Sequence, residues 1–281
     1  MRLVSAVSHA GSHVNEDAWG TVGNNEDVEA AWVLDGVTGL NERNYLPGKT
    51  DAAWLVERVN THLFRLAAEK LSLNEILANL VDLLIEDWRL GSAQFDFPSD
   101  YDPPATCLLL VKRYQNNWNV VRLGDCSFIA LKNDGTIDSL AALQHDLISD
   151  ALAERAKQLR ATGTVEIKSL LAEFQPQLLA QRKTRNTAGG LSVLNADIAA
   201  LKFAEYRQFE NVDQFLLCTD GFYRAVDCYG LYSDASFMTA AMKDVESVLR
   251  NIRSVEADDK NCQRFIRLKA ADDATAVALS I

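Results

Sequence analysis

Apolar side chains recur along this chain with two different periods. Residues 3–7 alternate weakly between apolar and polar, and residues 18–22 and 29–34 are further short runs, separated by the turn Gly23-Asn24-Asn25-Glu26-Asp27. A period of two lines one face of a strand, so three strands are expected here. The period then lengthens. Leu55, Val59, Leu63 and Leu66 share one face at helical spacing, which predicts a helix over about 50–71. Ser72 with Glu75 three residues later is a capping box, in which each side chain can bond the other's backbone N–H. It opens a second helix, with Leu73, Ile76, Leu77, Leu80, Leu84 and Trp88 on its apolar stripe.

A polar loop rich in Asp and Pro follows over 91–104. Strand-like runs return at 105–114, 118–123 and 127–131, with turns at Asn116-Asn117 and Gly124-Asp125. Asn133-Asp134-Gly135 is a hairpin signal. Residues 140–190 read as mainly helical, with charged faces and a polar, Gly-containing loop at 184–190. Strands are expected again at 201–207 and 213–218. Ser233 or Asp234 can cap one helix bearing Phe237, Met238, Ala241, Met242, Val245, Val248, Leu249 and Ile252, and the run 276–281 is a last strand. Antiparallel strands interrupted by helix pairs indicate an α+β fold of stacked layers. With no linker, repeat or low-complexity tract, residues 1–281 are expected to form a single domain. Trp32, Trp54 and Trp88 lie on apolar faces and are assigned to the core, and the charges of 253–269 to a solvated face.

Composition narrows the function. The 281 residues are 48% hydrophobic and 24% charged, a globular balance, and the net charge is −11. Proteins that bind phosphate backbones carry basic patches, so nucleic acid is not an expected partner. No run approaches 18 apolar residues, so no membrane partner is expected either. The five cysteines are widely spaced, odd in number and without a Cys-x-x-Cys pair, which fits reduced thiols in a cytoplasmic protein. A monomer is the expected state.

The chemistry lies in acidic sites at the ends of apolar runs. Val33-Leu34-Asp35-Gly36 and Cys218-Thr219-Asp220-Gly221 each end a run in Asp-Gly. Asp272-Asp273-Ala274-Thr275 precedes the last strand, and Asn15-Glu16-Asp17-Ala18 opens the second. An Asp-Gly alone is most often a turn. Carboxylates gathered from both ends of a chain repel, by roughly 4 kcal/mol per pair at about 4 Å and an effective dielectric near 20. A hard divalent cation with oxygen ligands relieves that cost.

Taken in order, these segments resemble the metal-dependent serine/threonine protein phosphatases of type 2C, the PPM family. Ala105-Thr106-Cys107 is similar to the family's Thr-containing strand start and Leu123-Gly124-Asp125-Cys126-Ser127 to its Gly-Asp-Ser segment. The resemblance implies a four-layer α-β-β-α sandwich, two antiparallel sheets flanked by helix pairs, with a variable flap around 140–190. It implies two Mn²⁺ or Mg²⁺ ions, with Asp35 bridging both, the Gly36 carbonyl on one, and Asp220 and Asp272 on the other. Glu16 and Asp17 would act through metal-bound waters, and Asp125 would stand at a third ion. The implied substrate is a phosphoserine or phosphothreonine protein, hydrolysed by a metal-activated water, with a protein kinase as counterpart. Asp17, Asp35, Asp220 and Asp272 are then the catalytic set.

Three positions depart from the family pattern. Ser12 stands where many members have a phosphate-binding Arg, with His13 beside it. Val37 stands where many have His after Asp-Gly, and Arg224 where a third ion would need Asp. The last argues against a third ion, unless Arg224 itself binds phosphate. These departures leave two other readings open: a catalytically weak or inactive binding module on the same fold, and a phosphatase for small phosphomonoesters.

Overall fold

A computed structural model describes the chain except residues 42, 116, 141–150, 152, 153, 156, 159–166 and 268, and the backbone alone at 167–171. Ten strands form two antiparallel five-stranded sheets. The first has the order β1 (Arg2–His9), β10 (Ala274–Ser280), β9 (Val212–Cys218), β6 (Ser127–Lys132), β7 (Ile137–Leu140). The second runs β2 (Asp17–Asn24), β3 (Asp27–Val37), β4 (Ala105–Tyr114), β5 (Asn117–Leu123), β8 (Glu205–Phe209).

Helices α1 (Asp51–Leu66) and α2 (Leu73–Ser92) cover the second sheet. Helices α5 (Asp234–Lys243) and α6 (Val245–Asp258) cover the first. Between them come α3 (Ile167–Arg182) and the single turn α4 (Asp220–Tyr223). The four layers enclose three apolar cores, and the central strands serve two each. On β3, Ala30, Trp32 and Leu34 face α1 and α2, while Ala31 and Val33 face the other sheet. On β9, Phe215 and Leu217 point between the sheets, and Leu216 and Cys218 toward α5 and α6. A strand buried on both faces reads as a continuous apolar run, which is why 30–34 and 215–218 lack alternation.

The local signals hold. Thr50 caps α1 by accepting from Ala53 N, and the Ser72–Glu75 capping box is formed. Trp32 and Trp54 are buried, and Trp88 packs against their core. Four expectations need correction. Helix α1 ends at Leu66, short of residue 71, where Ala67 and Lys112 close it: Ala67 N–H bonds the Leu63 and Arg65 carbonyls, and Lys112 Nζ donates to Ala67 and Glu69 O. The strand expected over 201–207 begins at Glu205, because Asp197 caps a 3-10 helix over Ile198–Phe203. The single helix expected after Ser233 is two, broken at Asp244, whose extended backbone starts α6 in a new direction. The charges near 253–269 are not all solvated: Glu256, Asp259 and Arg267 are buried. Much of the helical stretch expected over 140–190 lies outside the described residues; α3 is part of what is described.

Candidate metal centre

Every acidic motif singled out in the sequence lies at the same end of the two sheets. Asp17 begins β2 and pairs directly across from Asp35 near the end of β3. The end of β9 and the start of β10 are neighbours, with Cys218 opposite Ala276, so Asp220 and Asp272 emerge side by side. Asp125 sits in the turn by which the chain leaves β5 in one sheet for β6 in the other. Glycines permit the approach. A Cβ on Gly221 would overlap the Asp273 carbonyl. Gly124 has φ +92°, a conformation that favours glycine, and its Cα faces the Cys107 side chain.

Hydrogen bonds fix some of these carboxylates and leave others open. Asp17 is buried, and Thr219 Oγ1 donates to its Oδ2 at 2.8 Å while accepting from Thr275 N at 3.0 Å. Thr38 Oγ1 donates to Glu16 Oε2 at 2.6 Å. Asp273 accepts from Gly11 N at 2.8 Å and Glu16 N at 2.6 Å, so it ties the loop before β2 to the loop before β10. Thr106 Oγ1 donates to the Asp35 carbonyl at 2.8 Å. The Asp35 and Asp220 carboxylates accept no hydrogen bond from described residues, and both are partly open to solvent. Asp272 has cations on both oxygens: Arg224 Nη2 at 2.6 Å from Oδ2 and Lys269 Nζ at 2.8 Å from Oδ1.

The electrostatics follow. Desolvation pushes Asp35 well above the usual carboxylate range, and Asp220, Asp17, Asp125 and Asp272 push it further. Asp17 is raised by burial, against the Thr219 and Thr275 hydrogen bonds. Asp125 is pushed up to about 6 by burial and then by Asp220. Asp272 goes the other way: burial raises it, but Arg224 and Lys269 outweigh that and hold it low. Among the described residues, no three His, Cys, Asp or Glu side chains stand close enough to hold an ion as they are. Thr38, Thr219, Arg224 and Lys269 hold four site oxygens in contacts of their own. The donor set is nonetheless all oxygen, the chemistry of Mg²⁺ and Mn²⁺ sites. Asp35 and Asp220, with no donor facing them, fit such an ion.

The family profile for protein phosphatase 2C matches residues 7–260. The chain belongs to the protein phosphatase 2C family. The matched span ends before Asp272, so the last acidic motif rests on its position in the fold. No curated protein matches the sequence. Solved structures share the fold at low identity. The serine/threonine phosphatase PstP/Ppp of Mycobacterium tuberculosis is 14% identical, with 99% of this chain and 97% of that one covered and a TM-score of 0.51. Stp1, a serine/threonine phosphatase of Staphylococcus aureus, is 16% identical over 100% and 97%, with a TM-score of 0.54. PppA of Pseudomonas aeruginosa, described as a key regulatory component of T6SS, is 16% identical over 98% and 95%, at 0.51.

Within this phosphatase 2C fold, sequence reasoning gave no role to Thr38, Thr219, Thr275 or Lys269. Thr219 stood inside a recognised motif and could have been found there. Lys269 fell among charges read as a solvated face. Ser12 and His13 are exposed. A cavity of about 340 Å³ adjoins Asp125, lined in part by Arg122, Thr187, Gly189, Ser192 and Glu205. Another cleft, of about 450 Å³ between Asn133 and Asn211, touches none of the acidic motifs. No helix among the described residues is long and apolar enough to cross a membrane.

Proposed function

We propose that this chain is a metal-dependent phosphatase acting on phosphoserine and phosphothreonine in proteins, using two Mn²⁺ or Mg²⁺ ions. The observation that carries the reading is the cross-strand pair Asp17 and Asp35, with Asp35 within the electrostatic reach of Asp220, Asp125 and Asp272 and accepting no hydrogen bond from described residues. Asp35, the Gly36 carbonyl, Asp220 and Asp272 would hold the ions. Glu16 and Asp17 would orient water, and Asp125 would stand beside it. The bound ions would supply a water acidic enough to attack phosphorus and neutralise charge on the phosphoryl oxygens.

The chain's own residues do the rest. Thr219 fixes one Asp17 oxygen. Thr38 does the same for Glu16. Asp273 sets the distance between the two loops that carry Glu16 and Asp272. The variable flap expected over 140–190 would shape substrate choice, with 1–281 as one catalytic domain. A protein kinase is the expected counterpart.

The test is hydrolysis of a phosphothreonine peptide by purified protein. Turnover is expected with Mn²⁺ or Mg²⁺, is abolished by EDTA, and falls at least about 100-fold in Asp220→Asn. Arg224 and Lys269 on Asp272 favour the competing reading, a binding module without turnover. Folded, metal-loaded protein that hydrolyses no phosphoester would establish that reading instead.

A further inference from the structure

A phosphoryl group brings negative charge to an end of the molecule already lined by Glu16, Asp17, Asp35, Asp125, Asp220 and Asp272. These six carboxyl groups outnumber the charge of two divalent ions, so the chain itself must supply positive charge to hold a dianion. Among the described residues, two cationic side chains bond a carboxylate of this set: Arg224 and Lys269, both on Asp272. They differ in access. The Arg224 side chain is 14% exposed, at the foot of the single turn α4, with Nη1 enclosed. The Lys269 side chain is 45% exposed.

Lys269 also spans the mouth of the site. Its Nζ lies 2.8 Å from Asp272 Oδ1 and 3.0 Å from Thr38 Oγ1, joining the segment before β10 to the segment after β3. Thr38 gives its own proton to Glu16 Oε2, so it accepts from the lysine. An ammonium carries three donors. Asp272 and Thr38 take two, which leaves the third for a ligand. Neutralising Asp272 needs neither this exposure nor the contact with Thr38, and Arg224 already meets that need from beneath.

We propose that Lys269 is the phosphoryl-binding cation of this site and that Arg224 is a positioning residue holding Asp272 below it. The proposal rests on the phosphatase reading and names the group that contacts its substrate. A lysine suits this role, because its flexible stem lets the ammonium turn from Asp272 to a phosphoryl oxygen once the carboxylate has another partner.

The experiment is calorimetric titration of inorganic phosphate into the full, Mg²⁺-loaded chain. It compares wild type with Lys269→Gln, Lys269→Arg and, as a control for net charge, Lys243→Gln on an exposed position of α5. Phosphate affinity is expected to fall about tenfold or more in Lys269→Gln, to stay within about threefold in Lys269→Arg, and to be unchanged in Lys243→Gln. Mg²⁺ affinity measured without phosphate should hold or rise in Lys269→Gln, because a competing cation has left Asp272. Lys269→Met serves if the glutamine variant does not fold. Phosphate affinity equal in Lys269→Gln and Lys243→Gln overturns the proposal, as does wild type that binds no phosphate at about 10 mM. The two readings fail separately. Phosphate binding that depends on Lys269 without peptide hydrolysis removes the activity and keeps the anion site, whereas hydrolysis indifferent to Lys269 removes the anion site and keeps the activity.

Discussion

Gly221 has no room for a side chain. A Cβ there would overlap the Asp273 carbonyl and lie 3.1 Å from Asp272 Cβ. Gly221→Ala should therefore cost about 1–3 kcal/mol in urea unfolding and weaken Mn²⁺ binding, because the loops carrying Asp220 and Asp272 must part. Unchanged stability and metal affinity would show that the close approach does not matter. This glycine was legible as half of an Asp-Gly motif, yet its reason was not, since the atoms it admits lie some fifty residues away in sequence. A longer separation, 231 residues, hid Lys269 and Thr38. Each looks ordinary alone, and only the packing of one sheet on the other brings them to one mouth.

Elements with local signals were read most accurately. The Ser72–Glu75 box starts α2 where the sequence puts it, because both partners lie within one turn. The break at Asp244 was not legible: Ala241, Met242, Val245 and Val248 continue an apolar stripe, and Ala241, Val245 and Val248 are buried in the same core from two helices. After α6, a tertiary knot replaces the expected solvated face. Asp259 accepts from Gln263, Arg264 and Phe265 backbone N–H groups and from Arg267 Nη1 at 2.6 Å. Burial works against its charge, but these donors bring the carboxyl down to about 2. Asp259→Ala strips the buried Arg267 of its carboxylate partner, leaving backbone carbonyls on the guanidinium, and should destabilise the protein by about 3–5 kcal/mol, read from the urea midpoint. A loss below about 1 kcal/mol would return this segment to the role of a solvated face.

At the scale of the whole molecule, two sheets between helix layers follow from patterning, while the meeting of acidic loops follows from topology. The carboxyls raised there, Asp17, Asp35 and Asp125, oppose folding when ionised. Asp125 is pushed from 3.8 to about 6, so between those values the folded state binds more protons than the unfolded one. Stability of metal-free protein should thus fall as pH rises from about 4 to 6, by roughly 5 °C in melting temperature. Asp259 and Asp272 are shifted down and act oppositely, but their contribution is lost only as pH falls below about 4. Melts in EDTA check this, and a melting temperature that climbs from pH 4 to 6 would contradict it. Calorimetric titration of Mn²⁺ into wild type and Asp35→Asn decides whether this acidic end is a metal centre. Two ions per chain are predicted for wild type, with affinity at least about tenfold weaker in a folded Asp35→Asn protein. No saturable binding, or binding that Asp35→Asn leaves unchanged, would show that these carboxylates hold no ion.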